Sequence, residues 1–336
     1  MKVAVCSAQS YDRQFLLATN RDIGHELVFF DSHLCEETRQ MVAGFPAVCV
    51  FVNDTLNNPV LEALAVQGTR LIALRCAGFN NVDIQAASSL GLRVVRVPAY
   101  SPHSVAEHAV SLMLALNRHI PQAYNRVRNG NFALQGLLGF ELRGKTVGII
   151  GTGRIGIAVA KILHGFGCRL VAHDLQSSAE CISLGVEYLP LEQLYAESDI
   201  ITLHCPLNPQ THHLIDAAAI ARMKQGVMLI NTSRGAVIDT RAVIAGLKSS
   251  KIGNLALDVY EQEGDLFFKD LSDQVIKDDI FGRLLTFPNV LITGHQGFFT
   301  AEALSSIAQT TLQNISIFER EGICQNEVTV DLLRAG

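Results

Sequence analysis

The sequence predicts an α/β protein built from two parallel-sheet units with helices on both faces. Three observations carry that prediction. Short apolar, β-branched runs alternate with segments of helical spacing along almost the whole chain. The alternation passes through two cycles, separated by a long helical pattern and a polar stretch ending near Gly144. A chain of 336 residues is also longer than one ordinary core and fits two domains.

In the first cycle the apolar runs predict strands over 2–6, 26–30, 47–51, 70–74 and 93–97, with helices over 58–67 and 83–90. A helix over 104–119 follows. Its apolar content reads as an exposed face and predicts at least a dimer. The second cycle predicts strands over 146–150, 169–173, 200–203, 227–231, 254–257 and 290–293, with helices over 155–164 and 240–248 among the connections. Residues 264–279 are acidic and irregular and read as a surface excursion. The Phe267-Phe268 pair within it needs cover, and another subunit is one candidate. Residues 301–320 have helical period, but their periodicity does not say which unit they join.

Composition narrows the function classes. Hydrophobic residues make up 49% and charged residues 18%, which is the balance of a core-rich globular chain. The net charge of −5 with scattered Lys and Arg argues against nucleic acid or an anionic membrane surface as partner. The start of the chain lacks a signal-peptide pattern and no apolar run spans a bilayer, so the expected location is the cytoplasm. The eight cysteines form no C-x-x-C unit and read as free thiols in a reducing compartment, without zinc.

The most specific motif is T-V-G-I-I-G-T-G-R-I-G over 146–156. Its Gly151, Gly153 and Gly156 form G-x-G-x-x-G, a weak pattern alone. Here it follows an apolar strand and opens a helix, the context a dinucleotide site requires. The first glycine allows the tight turn, the second lets the backbone approach a pyrophosphate, and the third lets helix and strand pack closely. The next strand ends in Asp174, 18 residues after Gly156. A carboxylate there accepts from ribose hydroxyls and repels a 2′-phosphate, favouring NAD over NADP.

Three further strand ends carry polar residues: N-T-S-R-G-A-V-I-D over 231–239, A-L-D-V-Y-E-Q-E-G over 256–264 and L-I-T-G-H-Q-G-F over 291–298. Taken singly, Arg234 reads as a surface arginine, Asp258, Glu261 and Glu263 as a solvated acidic loop, and His295 as one structural histidine among eleven. Together they place a cation, carboxylates and an acid–base at successive strand ends on the dinucleotide side. Reduction of a 2-keto acid needs such a set: a cation for the carboxylate, an acid for the ketone oxygen and a carboxylate to support that acid.

At these segments the sequence resembles the D-isomer-specific 2-hydroxy-acid dehydrogenases, with similarity over essentially the whole chain. Within the family it is most similar to the bacterial fermentative D-lactate dehydrogenases, through F-V-N-D over 51–54, R-C-A-G-F-N-N-V-D over 75–83, V-P-A-Y-S-P-H-S-V-A-E-H over 97–108 and D-L-F-F over 265–268. The resemblance implies NAD-dependent reduction of pyruvate to D-lactate. Arg234 would bind the substrate carboxylate, His295 would be the acid–base and Glu263 its partner. Ala77, Gly78 and Tyr100 would join Arg234 and His295 in binding substrate. Gly151, Gly153, Arg154, Ile155, Gly156, Asp174, Cys205, Pro206, Thr232, Ser233 and Asp258 would bind the cofactor. Gly297-Phe298 stands where the family has Ala-Phe, and is expected at the pocket wall. The implied layout is two Rossmann-like or flavodoxin-like domains, a discontinuous substrate domain (1–100 and 298–336) and an NAD-binding domain (101–297), with the active site in a closing cleft. A homodimer or homotetramer is expected, with a small 2-keto acid as partner and no metal, nucleic acid or membrane. Two alternatives stay open: another 2-keto acid (glyoxylate, hydroxypyruvate or a branched one), and a non-catalytic NAD-sensing regulator.

Overall fold

A computed structural model describes Met1–Ala335 and divides the chain into two compact units. One comprises Met1–Ser101 together with the segment from Phe299 onward, and the other is Pro102–Phe298. Each holds one parallel sheet.

The first unit contains β1 (Lys2–Val5), β2 (Glu26–Phe29), β3 (Ala47–Val50), β4 (Leu71–Leu74) and β5 (Arg93–Val95), in the order β2-β1-β3-β4-β5. Residues that alternate along these strands bury Val3, Val5, Cys49, Leu71 and Ala73 against Ala308, Leu312 and Ile315. The latter come from the helix Ala301–Glu321, so this late helix belongs to the first unit. Thr300 caps its start by accepting from the Ala303 amide, and Gly322 ends it at φ +68°. The chain then returns along β5 in the antiparallel sense: Val328 N donates to Val94 O at 2.8 Å and Arg96 N to Asn326 O at 3.0 Å.

The second unit contains β6 (Thr146–Ile150), β7 (Arg169–His173), β8 (Glu187–Tyr188), β9 (Ile200–Leu203), β10 (Val227–Asn231), β11 (Ile252–Leu257) and β12 (Val290–Ile292), in the order β12-β11-β10-β9-β6-β7-β8. All pairings are parallel, so every carboxyl end lies on one edge. Ile150, Leu203, Asn231, Leu257 and Ile292 share one register row across it. The residues just past that row therefore come from four separate motifs and stand side by side. The strand order reverses at β6, the place where open α/β sheets hold ligands.

Strand boundaries match the apolar runs to within a few residues, and the two-residue β8 is too short to leave a periodic signal. Two expectations need correction. The helix Pro102–Asn117 is not an exposed apolar element: Ala106, Ala109, Val110, Leu112, Met113 and Leu116 are buried against the helix Arg154–Gly165 and β10–β11. Its alanines let the two helices approach closely. The exposed apolar side chains lie just after it, at Ile120, Tyr124, Val127, Phe132, Leu134 and Leu138. The second correction concerns Phe267, which needs no other subunit: it is 7% exposed and packs edge-on to Phe281, with Phe268 against the same core.

Candidate active site

The turn from β6 into the helix Arg154–Gly165 is shaped by its glycines. Gly151 has φ +93°, and a Cβ there would lie 2.7 Å from the Cys205 amide nitrogen. A Cβ on Gly156 would lie 2.0 Å from Gly151 O, so only glycine lets helix and strand meet. A Cβ on Gly153 would meet nothing within 4 Å, so this glycine leaves open space over the helix N-terminus. The first-turn amides of Arg154 and Ile155 have no intrahelical acceptors and carry the positive end of the helix dipole. Asp174, at the end of β7, accepts from Thr152 N at 2.5 Å and Thr152 Oγ1 at 3.1 Å, which holds its carboxylate against this turn. The Tyr188 hydroxyl donates to Thr152 Oγ1 at 2.9 Å and supports the arrangement from behind. Past the same sheet edge, His204 Nδ1 and Thr232 Oγ1 are buried polar atoms without a partner among the described residues, and burial pushes the His204 imidazole down to about 3. The Cys205 thiol is buried and pushed up to about 11, first by burial and then by Asp174. A glycine cradle, a carboxylate at the end of β7 and orphaned polar atoms fit a dinucleotide.

The three acids of the 256–264 segment separate into three roles. Asp258 is 1% exposed and lies beneath the 293–297 loop. Its carboxylate accepts from Thr293 Oγ1 at 2.5 Å, Gln296 N at 2.8 Å and Gly297 N at 2.8 Å, while its main-chain oxygen accepts from His295 N at 2.7 Å. His108 Nε2 stands 3.2 Å from the same carboxylate. Burial works against the charge of Asp258, but hydrogen bonds from His108 and Thr293 outweigh it and hold the carboxyl below its usual range. Glu261 ties loops together through Thr240 N, Thr240 Oγ1 and His213 Nε2. Only Glu263 faces His295, with Oε1 2.8 Å from Nδ1, and its other oxygen accepts from Tyr260 N at 3.1 Å.

His295 sits in the left-handed region at φ +52°, held there by the Asp258 contacts. Phe268 and Phe298 pack on its ring at centroid distances of 5.9 and 6.4 Å. With Nδ1 committed to Glu263, Nε2 is the nitrogen left to meet a substrate.

Arg234 follows β10 on a loop held by Asn231, whose side chain donates to Arg234 O at 2.9 Å and accepts from Ser233 N and Oγ. Gly235 sets the loop's position: a Cβ there would lie 2.1 Å from Tyr260 C, so the two strand-end loops pack backbone to backbone. The guanidinium is half-buried and donates to Ser233 O at 2.7 Å. The sheet thus brings together Arg234, Glu263 and His295 from the ends of β10, β11 and β12.

Gly297 is buried, and its neighbour Phe298 packs on the His295 ring. A Cβ on Gly297 would press to 3.0 Å on the Asp258 carboxylate and 3.5 Å on the His108 ring. His108 and Thr293, which complete the support beneath His295, carried no local signal: they meet 185 residues apart in the chain at 3.0 Å.

In the first unit, Ala77, Gly78 and Tyr100 are half-buried past β4 and β5. Beside them Arg75 is buried and paired with Asp12 at 3.1 Å.

Comparison with known proteins agrees with this geometry. The model of the D-isomer-specific 2-hydroxyacid dehydrogenase NAD-binding domain matches residues 110–297. The chain is similar to the D-lactate dehydrogenase of Escherichia coli (strain K12), with 57% identity over 98% of this chain and 100% of that protein. Among solved structures it is similar to apo D-lactate dehydrogenase from Escherichia coli, with a TM-score of 0.89 and 54% identity over 98% of this chain and 100% of that one. It is also similar to D-lactate dehydrogenase with NAD+ from Lactobacillus jensenii, with a TM-score of 0.81 and 32% identity over 98% and 100%.

Proposed function

The chain belongs to the D-isomer-specific 2-hydroxyacid dehydrogenases and is an NAD-dependent oxidoreductase, and on that premise we propose that it reduces pyruvate to D-lactate. The observation that carries the proposal is the His295–Glu263 pair beside the Arg234 loop, on the sheet edge that also bears the glycine turn.

Bound NADH supplies the hydride that reaches C2 of the keto acid. Gly151, Gly153, Arg154, Ile155 and Gly156 hold its pyrophosphate, and Asp174 its adenosine ribose. Cys205, Pro206, Thr232 and Ser233 line the rest of its path. Arg234 pairs with the substrate carboxylate through its planar fork. For the first unit we assign Ala77, Gly78 and Tyr100 to substrate binding. His295 donates a proton from Nε2 to the ketone oxygen, and Glu263 holds the ring at Nδ1 and stabilises its charge. In reverse, neutral His295 takes the hydroxyl proton of D-lactate. Asp258 keeps the His295 loop in its left-handed turn. The net reaction is pyruvate, NADH and a proton giving D-lactate and NAD+.

We also place the protein in the cytoplasm as a homo-oligomer. Among the described residues no helix is long and apolar enough to cross a membrane, and the exposed apolar residues from Ile120 to Leu138 support self-association. Sedimentation of the wild type and of Leu138→Asp tests that surface.

The deciding assay is NADH oxidation with pyruvate, followed by stereospecific assay of the product. D-lactate supports the proposal. Turnover confined to glyoxylate, hydroxypyruvate or a branched keto acid would move the substrate and keep the machinery. NADH binding without turnover of any keto acid would reject the enzyme in favour of a regulator.

A further inference from the structure

The amides of Ala77 and Gly78 donate to no described residue, although both residues are half-buried. Unpaired amides in such a place need an acceptor from outside the chain. Both carbonyls of the pair, by contrast, are held. Arg96 Nη1 donates to Ala77 O at 2.9 Å, and the Cys76 thiol donates to Gly78 O at 3.2 Å. In a trans peptide the carbonyl of one residue and the N–H of the next point in opposite directions. Fixing Ala77 O on Arg96 therefore turns the Gly78 N–H to the opposite side. A cationic donor on the carbonyl also polarises the peptide and strengthens that N–H as a donor.

Arg96 is itself fixed from the far end of the chain. Its N–H donates to Asn326 O at 3.0 Å, and its carbonyl accepts from Asn314 Nδ2 at 2.9 Å. Asn326 Nδ2 in turn donates to Asn314 Oδ1 at 2.8 Å, and the Arg96 guanidinium lies 5.2 Å over the Phe79 ring. The returning C-terminal segment and the helix Ala301–Glu321 thus lock the residue that orients the Ala77–Gly78 peptide.

We infer that Arg96 is a positioning residue for substrate binding: by gripping the Ala77 carbonyl it aims the Gly78 N–H at the substrate carboxylate. The inference rests on the assignment of Ala77 and Gly78 to substrate binding. Its signature is a selective loss of keto-acid affinity, because Arg96 acts through the Ala77–Gly78 peptide.

The test compares wild type with Arg96→Met, Arg96→Lys and Asn314→Ala. It measures pyruvate KM, kcat, NADH affinity by fluorescence, and binding of the inert analogue oxamate to the NADH complex. Arg96→Met is expected to raise pyruvate KM and oxamate Kd about tenfold, the effect of one lost charge-assisted contact. Its kcat and NADH affinity stay near wild type, and Arg96→Lys recovers most of the loss. Asn314→Ala shifts KM in the same direction by a smaller factor, and carries the test if Arg96→Met does not fold. Unchanged oxamate binding in these variants overturns the inference. So does a parallel loss of kcat, NADH affinity and melting temperature without rescue by Lys, which marks a purely structural arginine. A wild-type enzyme that binds NADH but not oxamate would fail the underlying assignment itself.

Discussion

The two units carry the same parallel-sheet architecture and treat their carboxyl strand ends in opposite ways. In the first unit the polar side chains there turn inward and bond to one another and to main chain, with Arg75 Nη1 left without a partner among the described residues. Asp54, 1% exposed, accepts from Ser7 Oγ, Leu34 N and Phe51 N at 2.6 to 2.7 Å. Arg75, also 1% exposed, is held by Asp12 and Ser7 O. On our proposal this unit offers substrate the Ala77 and Gly78 amides and the half-buried Tyr100. In the second unit the side chains remain available: Arg234 and His295 are half-buried, and the buried Asp258 and the half-buried Glu261 brace loops. Paired buried charges build a rigid frame that offers backbone donors. Half-exposed side chains offer proton transfer and charge. The first unit's polar residues should thus control folding, and the second unit's should control turnover.

The sharpest way to break that comparison is at His295. His295→Ala should lower kcat by about 10²–10⁴-fold, with an unchanged melting temperature. Near-normal turnover would remove His295 as acid–base. Arg234→Ala comes next, with kcat/KM for pyruvate falling about 10²-fold through loss of charge-assisted hydrogen bonds. Pyruvate saturation identical to wild type would reject its binding role. The matching change in the first unit is Arg75→Met, which leaves Asp12 buried without its cation. Denaturant unfolding should show a loss of about 3–5 kcal/mol, the cost of an orphaned buried charge, while the folded fraction keeps its turnover. A stable but inactive protein would mean that this cluster acts in chemistry and would erase the contrast.

The smallest effect sharpens the comparison within the second unit, at His204. Its neutral form is favoured in the folded state down to about pH 3, whereas an unfolded histidine takes up a proton near pH 6.5. Between those values the unfolded chain binds the extra proton, so stability is lost as pH falls from 6.5 toward 3. His204→Asn should flatten that limb, giving a smaller drop in melting temperature from pH 7 to pH 5. An unaltered pH dependence would show that His204 titrates normally in the folded protein.

Much of this site was legible in the sequence. The strand over 146–150, the three glycines and Asp174 lie within one βαβ stretch, and their chemistry depends on local turn and dipole geometry. Arg234, Glu263 and His295 were legible because each follows an apolar run, and parallel strands put all such positions on one edge. Local pattern alone did not choose among Asp258, Glu261 and Glu263, since all three follow the same strand and any could be solvated; the resemblance singled out Glu263. Nor does a local pattern show what lies behind Gly297, where a Cβ would meet the Asp258 carboxylate. It also took the apolar helix Pro102–Asn117 for an exposed face.

The sequence by itself therefore determined the strands, the nucleotide turn and the set of polar residues at the strand ends, because periodicity and turn chemistry act over a few neighbouring residues. Only the tertiary structure showed the Glu263–His295 contact itself, across 32 residues, and decided which residues brace it or hold the Ala77–Gly78 peptide. Those contacts join distant stretches of chain, and a hydrogen bond between them depends on packing that no local pattern encodes.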